Sequence, residues 1–202
     1  AIFGVDPIDE GTVEIYGKPV YVKSPQDAIG SGIALLTEDR KTQGLVLNES
    51  VKTNVVLASM NKMTKGLFID EERFVEETNN KVDELNIKVA SIDYPVGQLS
   101  GGNQQKVVIS KWLVSDSDIY IFDEPTRGID VGAKIEVYNT MNQLVEQGKC
   151  VIMISSELPE ILGMSDRVIV MRSGRIMAEI ERDSEHFNQE SIMTAAWGGK
   201  LA

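Results

Sequence analysis

The sequence predicts an α/β fold in which strands alternate with helices and form a parallel, doubly wound sheet. Two observations lead to this prediction. From residue 100 onward, helical segments alternate with short apolar runs, of which residues 119–122 and 150–154 are the clearest. Earlier, residues 33–37 form a continuous apolar run, which is typical of a strand covered on both faces.

The first fifty residues predict a hairpin, a short helix and that buried strand. Residues 12–22 alternate between apolar and polar types around Gly17-Lys18, which favours a hairpin. Ser24-Pro25 is typical of a helix start, and Gly30 or Gly32 ends that helix.

Residues 50–96 predict a helical insert. Ser50 is placed to cap a helix over 51–60, and Asp70 to cap a longer helix with apolar residues at helical spacing. No strand-like run interrupts this block. We therefore expect a discontinuous core of residues 1–49 and 97–202, with residues 50–96 as a helical subdomain.

The rest of the chain alternates regularly. Helices are expected over 100–113, 131–146 and 157–162 and near Asn188, and strands over 119–122, 150–154, 167–171 and 175–181, with a turn at Ser173-Gly174.

Composition narrows the class of protein. The chain has 202 residues and a net charge of −11, which argues against a protein that binds nucleic acid through its phosphates. Cys150 is the one cysteine, so there is no disulfide framework. No apolar run approaches the roughly 20 residues needed to cross a bilayer, and no signal peptide opens the sequence. We therefore expect a soluble intracellular protein.

The strongest chemical signal is Ser100-Gly101-Gly102 at the start of a predicted helix. Free N–H groups, the helix dipole and a serine hydroxyl together favour binding of a phosphate. A plain capped helix with a glycine turn explains the same residues, because short motifs also match by chance.

The second signal is Asp123-Glu124, where a predicted buried strand ends. Ligands of open α/β sheets gather at the carboxyl ends of strands, and carboxylates there suit Mg²⁺ and water. Asp123 would hold the metal and Glu124 would orient or deprotonate an attacking water. An acidic turn is the simpler alternative. Asp130 follows in Arg127-Gly128-Ile129-Asp130 and is also explained as a helix N-cap.

In this order and spacing, the motifs resemble the nucleotide-binding subunits of ABC transporters, which have a P-loop NTPase (RecA-like) core. Residues 99–104 resemble the signature motif, residues 119–124 the Walker B strand with its catalytic glutamate, and residues 128–130 the D-loop. The longer stretches 99–106, 123–134 and 155–167 resemble the second, C-terminal ATPase half of bacterial monosaccharide importers of the ribose and galactoside type. The resemblance implies that Ser100, Gly101, Gly102 and Gln104 contact ATP held by a partner half, and that the cofactors are ATP and Mg²⁺.

The chain departs from the family pattern at three places. No segment matches the P-loop pattern G-x-x-x-x-G-K-[ST], so the chain is expected to begin after its P-loop and to lack the first strand. Glu38 stands where the family has the Q-loop glutamine, and Ser156 stands at the switch-histidine position. These departures imply a degenerate nucleotide site of its own, and an isolated fragment that is inactive.

The resemblance also implies partners: the N-terminal ATPase half of the same polypeptide, transmembrane permease subunits and, indirectly, a periplasmic or lipid-anchored sugar-binding protein. The protein would lie peripherally at the cytoplasmic face of the bacterial membrane. A permease groove is expected among the apolar residues of 44–68, although most of them individually suit the insert's own core. Two alternatives remain: a non-catalytic interaction module of the same fold, and a soluble ABC ATPase of DNA repair. The short insert and the acidic charge argue against the latter.

Overall fold

A computed structural model describes residues 1–65 and 68–199. The chain divides into two compact units, one of residues 1–152 and one from Met153 onward. The predicted insert, residues 50–96, lies within the first unit, and its standing as a separate subdomain stays a prediction.

The first unit opens with the predicted hairpin and helix. Strands β1 (Val13–Ile15) and β2 (Lys18–Val20) pair antiparallel across Tyr16 and Gly17, which both have positive φ. This is the geometry that suits a two-residue hairpin turn. Helix α1 (Pro25–Gly30) follows, and the Ser24 side chain accepts a hydrogen bond from the Asp27 N–H as its N-cap.

The sheet of the first unit contains a parallel strand pair, as predicted. Its strand order is β3 (Ile33–Leu36), β6 (Ile119–Asp123), β7 (Cys150–Ile154), and β3 runs parallel to β6 with Leu36 opposite Phe122. The boundary between the two units falls inside β7. Ala28 and the strand residues Ile33 and Ile121 form a buried cluster on this sheet.

The predicted insert, residues 50–96, differs from the sequence prediction in two respects. The expected helix over 51–60 is helix α2 (Val51–Val56) followed by a tighter 3₁₀ segment, Leu57–Lys62, within which the backbone at Ser59 leaves helical geometry. The statement that no strand interrupts this block is wrong: β4 (Thr64–Lys65) and β5 (Phe68–Ile69) pair antiparallel. Two-residue strands are too short to give a periodic signal. Helix α3 (Glu71–Glu84) begins at its predicted cap, Asp70.

Helix α4 (Gly101–Ser115) lies at the centre of the first unit. Its residues Val107, Val108 and Trp112 are buried, and it contacts α2, α3 and β3. A 3₁₀ turn, Val96–Gln98, precedes it, and helix α5 (Val131–Glu146) has the predicted bounds. A further irregular element, the π-helical turn Arg40–Gly44, follows β3.

The second unit contains α6 (Leu158–Met164), β8 (Arg167–Arg172), β9 (Arg175–Glu181) and α7 (Gln189–Ala196). Strands β8 and β9 pair antiparallel with each other, which corrects the prediction that this region continues a parallel sheet. Ser173 and Gly174 form the predicted turn, and a two-residue connection can join antiparallel strands only. The hydrophobic core of this unit contains the buried residues Val168, Val170, Ile180, Ile192 and Ala195.

Candidate functional site

The carboxyl ends of β3 and β6 place the predicted acidic residues at one edge of the sheet. Because Leu36 pairs with Phe122 in parallel register, the chain leaves both strands on the same side. Glu38 follows the first strand, and Asp123 and Glu124 lie at the end of the second. This edge is where open α/β sheets bind ligands.

The two consecutive carboxylates at the end of β6 are electrostatically unfavourable without a cation. Burial raises the pKa of Asp123, and the neighbouring Glu124 charge raises it further. Glu124 has a φ of +46°, in the left-handed region, which costs about 1–3 kcal/mol in a residue other than glycine. Strained backbone and crowded charge are typical of functional sites, and a cation-binding role of this edge stays a prediction.

Mg²⁺ fits this edge only with help from other ligands. In residues 1–65 and 68–199, no group of three or more His, Cys, Asp or Glu side chains is arranged to hold a metal ion. Mg²⁺ commonly takes one or two carboxylates and completes its shell with waters and substrate phosphates. Asp123 is therefore a suitable single ligand, and the remaining oxygens would come from a nucleotide and water.

Ser100 is at the N-cap position of α4, but its side chain does not cap the helix. Its Oγ accepts a hydrogen bond from Asn103 Nδ2 at 3.0 Å, instead of from a backbone N–H of the first turn. Asn103 is held in turn, because its Oδ1 accepts from the Lys88 N–H at 2.9 Å. The partly exposed first turn of α4 therefore keeps N–H groups available for an anion, as the phosphate prediction requires.

Gly101 and Gly102 bring this first turn close to two other loops. A Cβ on Gly101 would lie 2.9 Å from Arg40 Nη2, so a larger residue at this position would require the end of the Arg40 side chain to move. A Cβ on Gly102 would lie 3.8 Å from Asp130 Oδ2, an ordinary contact distance. The structure thus places the predicted signature residues beside the predicted D-loop.

The structure confirms the interpretation of Asp130 as a helix N-cap. Its Oδ1 accepts a hydrogen bond from the Ala133 N–H at 3.0 Å and so caps α5. Its other oxygen faces the first turn of α4. A role of Asp130 at a nucleotide stays a prediction.

The glutamine pair of α4 is buried and holds neighbouring loops. Gln104 is 4% exposed, and its Nε2 donates to backbone carbonyls of the preceding loop, including that of Leu99 at 3.2 Å. Gln105 Nε2 donates to the Pro125 carbonyl at 2.9 Å, directly behind Asp123-Glu124. Sequence reasoning missed this role of Gln105, although its place within the motif was a signal. A nucleotide contact by Gln104 stays a prediction.

Glu38 forms an ion pair with Arg127, and sequence reasoning missed this partner. Arg40 Nη1 also donates to the carbonyl oxygen of Arg127 at 3.4 Å. Glu38, Asp39, Arg40, Lys41 and Arg127 line one cavity at this place. The negative charge that Glu38 introduces at the Q-loop position is therefore balanced by an arginine of the next loop.

Ser156 lies in the second unit, where it is exposed between β7 and α6. The adjacent Ser155 is anchored on both sides: its Oγ donates to the buried carboxylate of Glu160 and accepts from the Glu157 N–H at 3.0 Å. The residue at the switch position thus follows a rigidly held serine, and its own predicted role stays a prediction.

Comparison with known proteins identifies the family. Residues 1–127 match the family described as ABC transporter. The chain belongs to the ABC transporter family. Among the described residues no helix is long and apolar enough to cross a membrane.

Curated relatives are sugar import ATP-binding proteins. The chain is 51% identical over 199 residues to the ribose import ATP-binding protein of Geobacillus kaustophilus, covering 98% of this chain and 40% of that protein. It is 52% identical over 191 residues to the xylose import ATP-binding protein of Thermoanaerobacter pseudethanolicus, covering 95% of this chain and 37% of that protein. It is 48% identical over 200 residues to the ribose import ATP-binding protein of Bacillus subtilis, covering 99% and 40%. The chain therefore spans about two fifths of these relatives.

Solved structures confirm the fold of an ABC ATPase domain. A nucleotide-free ATP-binding cassette from an ABC transporter superposes with a TM-score of 0.74 at 24% identity, covering 96% of this chain and 76% of that one. The cbiO1 protein of Clostridium perfringens superposes with a TM-score of 0.72 at 22% identity, covering 95% and 74%. These likenesses confirm the predicted P-loop NTPase fold class.

Proposed function

We propose that this chain is the C-terminal ATPase half of a monosaccharide importer and completes the ATP site of a partner half. The observation that carries the proposal is the first turn of α4, where Ser100, Gly101 and Gly102 are exposed or partly exposed beside Asp130. Their N–H groups are placed to donate to phosphate oxygens of a nucleotide held by the partner. The relatives named for ribose and xylose import support a monosaccharide as the class of transported substrate.

The chain's own nucleotide site is proposed to be degenerate. Asp123 would coordinate Mg²⁺ directly or accept a hydrogen bond from a water bound to the metal. Glu124 would take the proton of an attacking water. Glu38 is paired with Arg127, which occupies its carboxylate, and a serine replaces the imidazole at position 156. Since the 202 residues contain no P-loop sequence, we expect weak ATP binding by the isolated chain.

Partners and location follow from the same proposal. An N-terminal ATPase half would supply the nucleotide, a permease would transmit the movement across the membrane, and a sugar-binding protein would deliver the sugar. The protein would lie peripherally on the cytoplasmic face of the membrane.

Only some of the residues that were expected to form the permease groove are exposed. Leu45, Val55, Val56 and Met63 are buried and belong to the core, whereas Val46, Leu57 and Phe68 are exposed. Leu67 lies outside the described residues. The exposed residues are those that we propose for contact with the permease.

A segment exchange tests the proposal. The matching 200 residues of the Bacillus subtilis ribose import ATP-binding protein are replaced by this chain, and ATP hydrolysis and ribose uptake are measured with the host permease. In this chimera, Ser100→Arg fills the phosphate position and should lower hydrolysis by about 10²-fold or more. Glu124→Gln should change hydrolysis by less than about threefold, because the degenerate site contributes little.

The matched control is Glu146→Gln, which changes an exposed carboxylate at the end of α5. Normal hydrolysis by the Ser100→Arg chimera would refute the role of the signature residues and favour a non-catalytic module. A large loss in Glu124→Gln alone would show that this half hydrolyses ATP at its own site.

A further inference from the structure

Arg127 is held at both ends by the segment that follows β3. Its guanidinium pairs with the carboxylate of Glu38, and its carbonyl oxygen accepts a hydrogen bond from Arg40 Nη1 at 3.4 Å. The two contacts use different parts of Arg127, so they restrain both its side chain and its backbone. The residues that follow are Gly128, Ile129 and the α5 cap Asp130.

Arg40 also contacts the first turn of α4. Its Nη2 lies 2.9 Å from the point where a Cβ on Gly101 would stand, and the carbonyl oxygen of Gly128 is near the same point, at 3.9 Å. One planar guanidinium therefore lies between the signature turn and the loop after β6. Lysine cannot replace it, because an ammonium group is a single point on a flexible stem, whereas guanidinium presents donors in a fixed plane.

Two features of the Arg40 position are unfavourable for stability. A cation near the amino end of a helix is disfavoured by the helix dipole. Its Nε is buried and has no hydrogen-bond partner within residues 1–65 and 68–199. A group kept in such an unfavourable place is expected to serve function.

We propose that Arg40 is a positioning residue which, together with Glu38, holds residues 127–130 against the signature turn of α4. This inference rests on the proposed function, because the turn that Arg40 orders is the one expected to close on the partner's ATP. Arg40 acts through Arg127 and Gly101 and does not itself need to touch the nucleotide. Loss of the clamp should then slow the chemical step and leave nucleotide affinity nearly unchanged.

The first test uses the 202-residue chain and is independent of activity. Backbone amide NMR spectra of Arg40→Lys should show shifted signals for residues 101 and 128–130. The matched control is Arg73→Lys, because Arg73 Nη1 also donates to a backbone carbonyl, that of Lys62 at 2.9 Å, away from the site. Thermal unfolding of both variants checks that each is folded.

The second test uses the chimera described above. Arg40→Lys should lower kcat for ATP hydrolysis by about tenfold or more, as small misplacements of reacting groups do. The KM for ATP should stay within about twofold, because the nucleotide is held elsewhere. Gly101→Ala displaces the guanidinium and should lower kcat similarly, and the double variant should be no worse than either single one.

Each outcome decides the proposal. Unmoved amide signals in Arg40→Lys would overturn the clamp, whether or not the chimera is active. Moved signals with a wild-type kcat would show that Arg40 has a structural role only and would overturn the positioning role. Additive effects of Arg40→Lys and Gly101→Ala would also overturn it. An unsubstituted chimera without hydrolysis would refute the proposed function, and the amide signals would still decide whether the clamp exists.

Discussion

Lys111 is a buried amine in the middle of α4, with 7% of its surface exposed. Its Nζ donates to the carbonyl oxygen of Gly44, at the end of the π-helical turn, at 2.7 Å, and lies 4.9 Å from the ring centre of Trp112. Burial lowers the pKa of Lys111 from 10.5 to about 8. We predict that Lys111→Met changes how the stability of the protein depends on pH.

The size of the effect follows from this pKa. A pKa of 10.5 in the unfolded chain and about 8 in the folded protein corresponds to about 3 kcal/mol, at roughly 1.4 kcal/mol per pH unit. Between pH 8 and 10.5 the unfolded chain binds the proton and the folded protein does not, so stability rises with pH. Below pH 8 the folded protein carries the full cost of a buried charge.

The substitution has two opposing effects at neutral pH. Methionine removes the buried charge and so recovers about 3 kcal/mol, but it leaves the buried Gly44 carbonyl without its donor, which costs about 1–3 kcal/mol. The net change at pH 7 is therefore small. The gain of wild-type stability between pH 8 and 10.5, by contrast, should be absent from Lys111→Met.

Urea unfolding at several pH values between 7 and 11 measures this difference directly. Subtracting the curve of Lys111→Met from that of the wild type removes the contribution of the other titrating groups. The control is Lys88→Met, an exposed lysine, whose pH dependence should match the wild type. Parallel curves for wild type and Lys111→Met over this range would refute the reasoning.

Three further substitutions test other parts of the structure. Asp123→Asn should raise the melting temperature at pH 7, because burial and the Glu124 charge raise the pKa of Asp123 above 3.8. The gain in melting temperature should shrink as the pH falls toward 3.8, and the absence of a gain at pH 7 would contradict the prediction. Asn54→Ala should lower the free energy of unfolding in urea by about 3 kcal/mol, because Asn54 is fully buried and forms hydrogen bonds with four backbone groups of residues 46–50. The control Asn61→Ala, at an exposed position, should change this free energy little. Gly4→Ala should lower the melting temperature more than Gly11→Ala. Both glycines have positive φ, but a Cβ at residue 4 would lie 2.7 Å from backbone atoms, whereas a Cβ at residue 11 would meet open space. Equal losses in the two variants would contradict the predicted clash at residue 4.

Elements defined by local signals were predicted well from the sequence. The bounds of α5 and β7 agree with the prediction, because Asp130 caps the helix and Gly148 ends it, and because apolar residues fill the strand. Helix α1 begins after Ser24 for the same reason. Each of these signals acts within a few residues of the element that it defines.

Features that depend on distant partners could not be predicted. Arg40 and Arg127 are 87 residues apart in the chain, and no local pattern indicates that one donates to the other. The same holds for Lys111, whose partner Gly44 is 67 residues away. The antiparallel pairing of β8 and β9 was missed for a different reason: the alternation of strands and helices upstream was extended one element too far, although the two-residue turn already excluded a parallel pair.

The distribution of these distant contacts supports an asymmetric role for the chain. Gln105, Arg40 and Asn103 each tie the amino-terminal part of α4, or the loops beside it, to another segment. At the edge that would form the chain's own nucleotide site, Glu38 pairs with Arg127, and burial and the Glu124 charge raise the pKa of Asp123. The contacts of Arg40 and Asn103 therefore hold the turn that we propose to face a partner's nucleotide.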